Sequence, residues 1–224
     1  ANNPSGVYFK HAKDANKLIE EFMLLANRQV AAFIGKNMDG MPSKKPFVYR
    51  VHDVPDPDKI GVFSAFVKQF GHQMIMKSPK DIANSMNRVL ADVSGKREEN
   101  MVELLAIRTM SKAKYTTENI GHYGLGFHYY THFTSPIRRW PDVMVHRLLQ
   151  HYLDGEKVKN KEAIEAQCKH SSEMEKLSTD AERSSIKYMQ VKYLVGKEGH
   201  EFNALVSGVT EFGIFVELED SLCE

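Results

Sequence analysis

Cysteine is nearly missing from this chain. Its two thiols, Cys168 and Cys223, stand far apart, and neither has a second cysteine at metal-ligand spacing. That argues against a disulfide framework and against a zinc site, and it fits a reducing, cytoplasmic compartment. No apolar run approaches the ~20 residues needed to span a bilayer, so no membrane partner is expected. The opening Ala1-Asn-Asn-Pro-Ser-Gly6 has neither the charged nor the apolar region of a signal peptide. Net charge is also lacking: 30 basic and 29 acidic residues leave +1. A nucleic-acid partner would therefore require basic groups concentrated locally. Internal repeats and low-complexity tracts are absent.

What remains is an ordinary globular composition, 42% hydrophobic and 26% charged, in 224 residues. This is enough for one large domain, or a medium domain with a smaller piece, folding without disulfides. The chain starts without methionine and stops soon after a second strand, whose sheet would keep an unpaired edge. The expectation is a piece of a longer polypeptide.

Leu18, Phe22, Leu25, Ala26, Val30 and Phe33 recur at helical spacing and predict an amphipathic helix over 13–35, with Asp14 in its first turn. The opposite face carries Leu24 and is not plainly solvated. A Gly-, Pro- and Lys-rich loop follows, then a short strand over 47–51 ended by Pro55-Asp-Pro57. Helices are predicted near 58–70, 79–91 and 99–113. Residues 115–135, rich in Gly, His, Thr and aromatics, show no clean period. Two helices follow, over 142–153 and 161–194. After Gly196 the pattern becomes alternating, and 202–209 with 212–218 read as a β-hairpin opening a small all-β module.

Ser135-Pro136 reads as a helix start, a capping hydroxyl followed by proline. Arg138 and Arg139 would then fall in the first turn, where the helix dipole disfavours cations by about 0.3–1 kcal/mol each. An anion between them and the free amides would resolve that conflict, and a phosphate fits both groups. Thr131, Thr134 and Ser135 add hydroxyls. His122, His128 and His132 add imidazoles. Tyr123, Phe127, Tyr129, Tyr130 and Phe133 offer faces on which bases could stack, a combination suited to single-stranded nucleic acid. Spacing alone leaves a second reading open, with the arginines as surface ion-pair partners and the aromatics as core.

Tyr130-Thr-His-Phe-Thr-Ser-Pro-Ile-Arg-Arg-Trp-Pro-Asp142, continuing through Val145-His-Arg-Leu148, resembles the signature of the ribonuclease II/ribonuclease R catalytic domain. Leu18–Asn27, Tyr49–Asp53 with Pro55 and Lys59, Arg108–Met110 with Ala113, Tyr115 and Asn119, Gly121–Leu125 and Asp180–Arg183 resemble further stretches of that domain in order. Phe202 to Leu218 resembles the start of the appended RNA-binding barrel of the S-one type. Ribonuclease R is the nearer relative on the Arg-Arg-aromatic-Pro-Asp wording.

The resemblance implies an α+β fold: a helix-rich portion of the catalytic domain over 1–196 and an incomplete antiparallel barrel over 197–224. It implies processive 3′→5′ hydrolysis of single-stranded RNA to nucleoside monophosphates, with Mg2+ held by aspartates. Carried over, Arg138 binds the scissile phosphate. Arg139 assists or anchors the loop. Glu20 or Glu21 faces the terminal ribose, and Glu182 lines the same cavity. Thr134, Ser135, His122 and Tyr123 contact RNA, and Phe212 and Phe215 give stacking surfaces on the barrel.

One departure stands out. The family's paired-aspartate metal motif is not in this chain, and Asp53, Asp56 and Asp58 sit among prolines in a different matched segment. No metal is therefore expected to be held by this chain alone, and the aspartates would belong to the remainder of its polypeptide. Two other classes remain as alternatives. One is a non-catalytic RNA-binding module. The other is an HD-type metal phosphohydrolase, prompted by His52-Asp53.

Overall fold

The computed structural model describes residues 4–8 and 11–223. Ala1, Asn2 and Asn3, half of the opening that lacks signal-peptide features, lie outside the described residues. The elements in order are α1 (Asp14–Gly35), β1 (Tyr49–Val51), α2 (Pro57–Lys68), α3 (Pro79–Val93), α4 (Glu99–Thr109), β2 (Lys114–Thr116), α5 (Trp140–Leu153), α6 (Lys161–Leu194), β3 (Ala204–Thr210) and β4 (Gly213–Leu218). A single 3₁₀ turn lies at Tyr123–Leu125. The helix-rich α+β expectation holds.

Contacts divide the chain into two compact units, 22–171 and the combination of 1–21 with 172–224. In the first unit, β1 and β2 pair antiparallel with Arg50 opposite Tyr115. Around this ribbon α1, α5 and the start of α6 bury Ala31, Ile34, Phe47, Val48, Val51, Val145 and Cys168. Desolvation in this core pushes the Cys168 thiol up to about 12, which leaves it a small apolar filler. A second cluster joins α2, α3 and α4 through Ile60, Phe63, Val67, Met86, Val89 and Val102. Burying a side chain such as Phe63 stabilises by roughly 1.5–3 kcal/mol.

Local chemistry explains the helix starts. Asp56 caps α2, accepting from Asp58 N and Lys59 N ahead of Pro57. Ser78 caps α3 in the same way, accepting from Asp81 N and donating to Asp81 Oδ2 at 2.7 Å. In the second unit, β3 and β4 form an antiparallel hairpin with a bulge between Val206 and Gly208.

The face of α1 differs from the sequence expectation. Of the predicted stripe, Leu18, Phe22, Leu25 and Phe33 are exposed, Ala26 and Val30 are half-buried with Val30 against the core, and the fully buried positions are Asn27, Ala31, Ile34 and Gly35. Close approach of the ribbon selects this face. A Cβ at Gly35 would lie 2.6 Å from Tyr129 Cδ1 and 2.8 Å from the Tyr49 hydroxyl, contacts that only glycine avoids.

Candidate functional site

Asn27 is where the site begins. Buried on the inner face of α1, it accepts from Phe133 N through Oδ1 at 2.9 Å and donates through Nδ2 to the Tyr130 hydroxyl at 3.2 Å. Thr131 Oγ1 donates to Val48 O, and Arg50 N to Tyr130 O, which ties the loop to β1. Phe133 stacks on His146 of α5 with ring centroids 4.0 Å apart, and His146 Nε2 lies 2.9 Å from Phe133 O. The segment entering the arginine pair is thus held by α1, β1 and α5.

The helix start predicted at Ser135-Pro136 is corrected by the structure. Residues 135–139 form a turn in which Ser135 O accepts from Arg138 N and Arg139 N, and α5 begins at Trp140 with Arg139 as its N-cap. Arg138 and Arg139 therefore precede the first helical turn. The physical reason is Asp142, fully buried in that turn. Its Oδ1 accepts from Ser135 N at 2.7 Å and from Arg139 Nη2 at 2.9 Å, and Oδ2 lies 2.9 Å from Arg139 Nε in an ion pair not aligned as a hydrogen bond. The anion expected between the arginines and the free amides is partly the protein's own carboxylate, well placed at a helix N-terminus. Sequence reasoning missed this role. The signal available was an acid three residues after Arg139.

Arg138 is left over. It is exposed, and among the described residues its guanidinium has no hydrogen-bond or ion-pair partner. Beside it in sequence, the buried Thr134 hydroxyl also has no partner. His132 reports the local field. Burial first, then Arg139, Arg50, His122 and Arg138, hold its pKa down to about 3. His132 Nδ1 lies 2.8 Å from the Tyr115 hydroxyl, and the Arg50 guanidinium stacks 4.6 Å from the Tyr115 ring centroid. Several cations thus act on one small region.

His122 and Tyr123 lie on the same unit, facing a cavity of about 570 Å3 that His52, Asp53, Lys80 and Phe127 also line. Burial, His52 and Arg50 lower the His122 pKa to about 4. The Tyr123 hydroxyl donates to Pro79 O at 3.0 Å. Neither His52 nor the nearby aspartates is poised for a metal. His52 Nδ1 accepts from Gly124 N at 2.9 Å, so Nε2 carries the proton that meets Ser111 O at 2.6 Å. Asp53 accepts from Val54 N, and Asp56 caps α2. Among the described residues no group of three or more His, Cys, Asp or Glu could hold a metal ion.

Glu20, Glu21, Glu182, Phe212 and Phe215 belong to the other unit. The three carboxylates lie on exposed helix surface, and Phe212 and Phe215 are exposed at the hairpin. The contacts within each unit thus bring together Arg138, Arg139, Thr134 and Ser135, with His122 and Tyr123 elsewhere on that unit.

The RNB domain model matches residues 1–155. Ribonuclease R of Aquifex aeolicus is 37% identical over 225 residues, covering 99% of this chain and 31% of its own length. Ribonuclease R of Thermotoga maritima is 38% identical over 213 residues, covering 92% of this chain and 29% of its own length. The chain thus spans about a third of the length of these relatives. Mycoplasma genitalium ribonuclease R in complex with ribose-methylated single-stranded RNA superposes with a TM-score of 0.83 at 26% identity, over 98% of this chain and 34% of that one. No described helix is long and apolar enough to cross a membrane.

Proposed function

Since this chain belongs to the RNB family of ribonuclease R- and ribonuclease II-type exoribonucleases, we propose that it supplies the phosphate-binding half of an active site. The whole enzyme would hydrolyse single-stranded RNA processively from its 3′ end, releasing nucleoside 5′-monophosphates in the cytoplasm. The observation that carries this reading is the unpaired Arg138, set beside an arginine fixed by Asp142 in a region of positive field.

Arg138 binds the scissile phosphate and offsets charge developing on it in the transition state. Arg139 anchors the turn. The unpartnered Thr134 hydroxyl and Ser135 add contacts to the same anion. Glu20 or Glu21 recognises the terminal ribose, and Glu182 lines that cavity. Phe212 and Phe215 stack bases on the start of a barrel domain over 197–224, and 1–196 belongs to the catalytic domain. The family's paired-aspartate motif is not in this sequence, so Mg2+ is assigned to aspartates in the remainder of the polypeptide. The bound RNA in the Mycoplasma genitalium complex supports the substrate class.

In the complete enzyme, Arg138→Ala lowers kcat by about a hundred- to a thousandfold, as expected for loss of one transition-state donor, with a much smaller change in RNA affinity. An unchanged kcat removes Arg138 from the mechanism. The 224-residue chain alone shows no Mg2+-dependent hydrolysis, and robust degradation of a single-stranded oligonucleotide by it refutes the division of the site.

A further inference from the structure

A second basic surface shares no residue with the turn from Ser135 to Asp142. A groove of about 510 Å3 lies between the loop after α1 and the segment joining α5 to α6, and Lys44, Lys45, Lys157 and Lys159 line it with Tyr152 and Glu156. All of these residues lie in the 22–171 unit.

The arrangement follows from the chain. Val158 packs against the main core, while Lys157 and Lys159 on either side of it are exposed. The Tyr152 hydroxyl donates to Pro46 O at 2.5 Å, locking the two walls together. Lys45 Nζ stands 5.1 Å above the Tyr152 ring centroid.

Among the described residues none of the four is ion-paired with a carboxylate, and Glu156, the groove's acid, is engaged by His151. In a chain with a formal charge of +1, a groove with four ammonium groups and one acid is a strong local excess. Concave walls of one sign focus the field and attract a polyanion. Lysines act as point charges on phosphates, and contacts to phosphate carry no sequence information directly.

We propose that this groove holds the phosphodiester backbone of single-stranded RNA at a second, sequence-independent contact. The proposal rests on the RNA reading of the family site.

The test is fluorescence anisotropy of the 224-residue chain with a labelled single-stranded RNA across a salt series. Changing all four lysines to glutamine lowers the slope of log affinity against log salt by about 2–3, four phosphates at about 0.7 each, and weakens binding at about 50 mM salt by ten- to a hundredfold. Two paired variants, Lys44→Gln/Lys45→Gln and Lys157→Gln/Lys159→Gln, each give about half that change in slope. They also guard against a fold defect, which far-ultraviolet circular dichroism checks directly. Arg138→Ala lowers the slope by about 0.7 only. RNA binding with an unchanged slope in the quadruple variant overturns the groove and leaves the family reading intact. A chain that binds no RNA at about 50 mM salt overturns the groove, whereas the reading of the family site is tested separately by the kcat of Arg138→Ala in the complete enzyme. Tighter binding of poly-glutamate than of RNA, lost in the quadruple variant, overturns the proposal in favour of an acidic protein partner.

Discussion

Replacing Asp142 with alanine tests whether one buried carboxylate sets the arginine turn. The substitution removes the acceptor for Ser135 N and for Arg139 Nη2, plus the contact with Arg139 Nε. Breaking a buried ion pair typically costs about 3–5 kcal/mol, because the surviving charge is stranded. Here the surviving charge can recover water, since the Arg139 side chain is 21% exposed while that of Asp142 is fully buried. The expected loss is therefore smaller, about 2–3 kcal/mol, close to the upper range for hydrogen bonds to a charged group. For a chain of this size that lowers Tm by about 5–10 °C. The single tryptophan, Trp140, opens α5 directly after the turn, so its fluorescence during urea unfolding reports on the unit concerned. Arg139→Ala and the double variant complete a cycle, with an expected coupling of about 1–3 kcal/mol. Additivity within about 0.5 kcal/mol would show that the two side chains do not act as a pair, and the account of the turn would fail.

Three further outcomes follow from the geometry. His52→Ala strands Gly124 N and Ser111 O and costs about 1–3 kcal/mol, with faster hydrogen exchange at Gly124; unchanged exchange contradicts the pinning role. His132 and His122, held at about 3 and about 4 in the folded chain against an ordinary 6.5, take up protons on unfolding, so their stabilisation is complete above pH 6.5 and is lost as pH falls from 6.5 to about 4 for His122 and to about 3 for His132. Urea unfolding at pH 7 and pH 5 shows that loss, and His132→Asn reduces it; a pH-independent stability sinks the assignment. Gly35→Ala forces a Cβ into Tyr129 and the Tyr49 hydroxyl and costs about 1–3 kcal/mol in thermal unfolding, while a neutral result means the ribbon yields easily.

The long helix over 161–194 and the terminal hairpin were readable because periodicity and turn residues are local signals. The face of α1 was not. The largest residues of its apolar stripe, Leu18, Phe22, Leu25 and Phe33, are exposed, and the inner face is built from Asn27, Ala31 and Ile34 with Val30 at its edge, chosen by what the ribbon can approach. Nor was the true start of α5. Ser135-Pro136 has the chemistry of a cap, but Asp142 captures Ser135 N from within the following helix and makes a turn instead. The arginine pair was visible as a motif, whereas its inequality needed coordinates: one guanidinium is clamped and the other is left over. The carboxylates and phenylalanines carried over by resemblance lie in a unit separate from the turn, a division that no local pattern announces.

Asn27 has a consequence for how the chain assembles. Its hydrogen bonds to Phe133 and Tyr130 join residues 106 and 103 positions apart, and Tyr152 reaches Pro46 across another 106. Closing a loop of that length costs about 2 kcal/mol more than closing one of ten residues, before any contact rewards it. Asp142 can set the turn presenting Arg138 locally, but the strand of loop that leads into it, Tyr130 to Phe133, is held by α1 across that distance. Contacts of such long sequence separation slow folding, and on the ribosome the helix must stay available until the loop emerges.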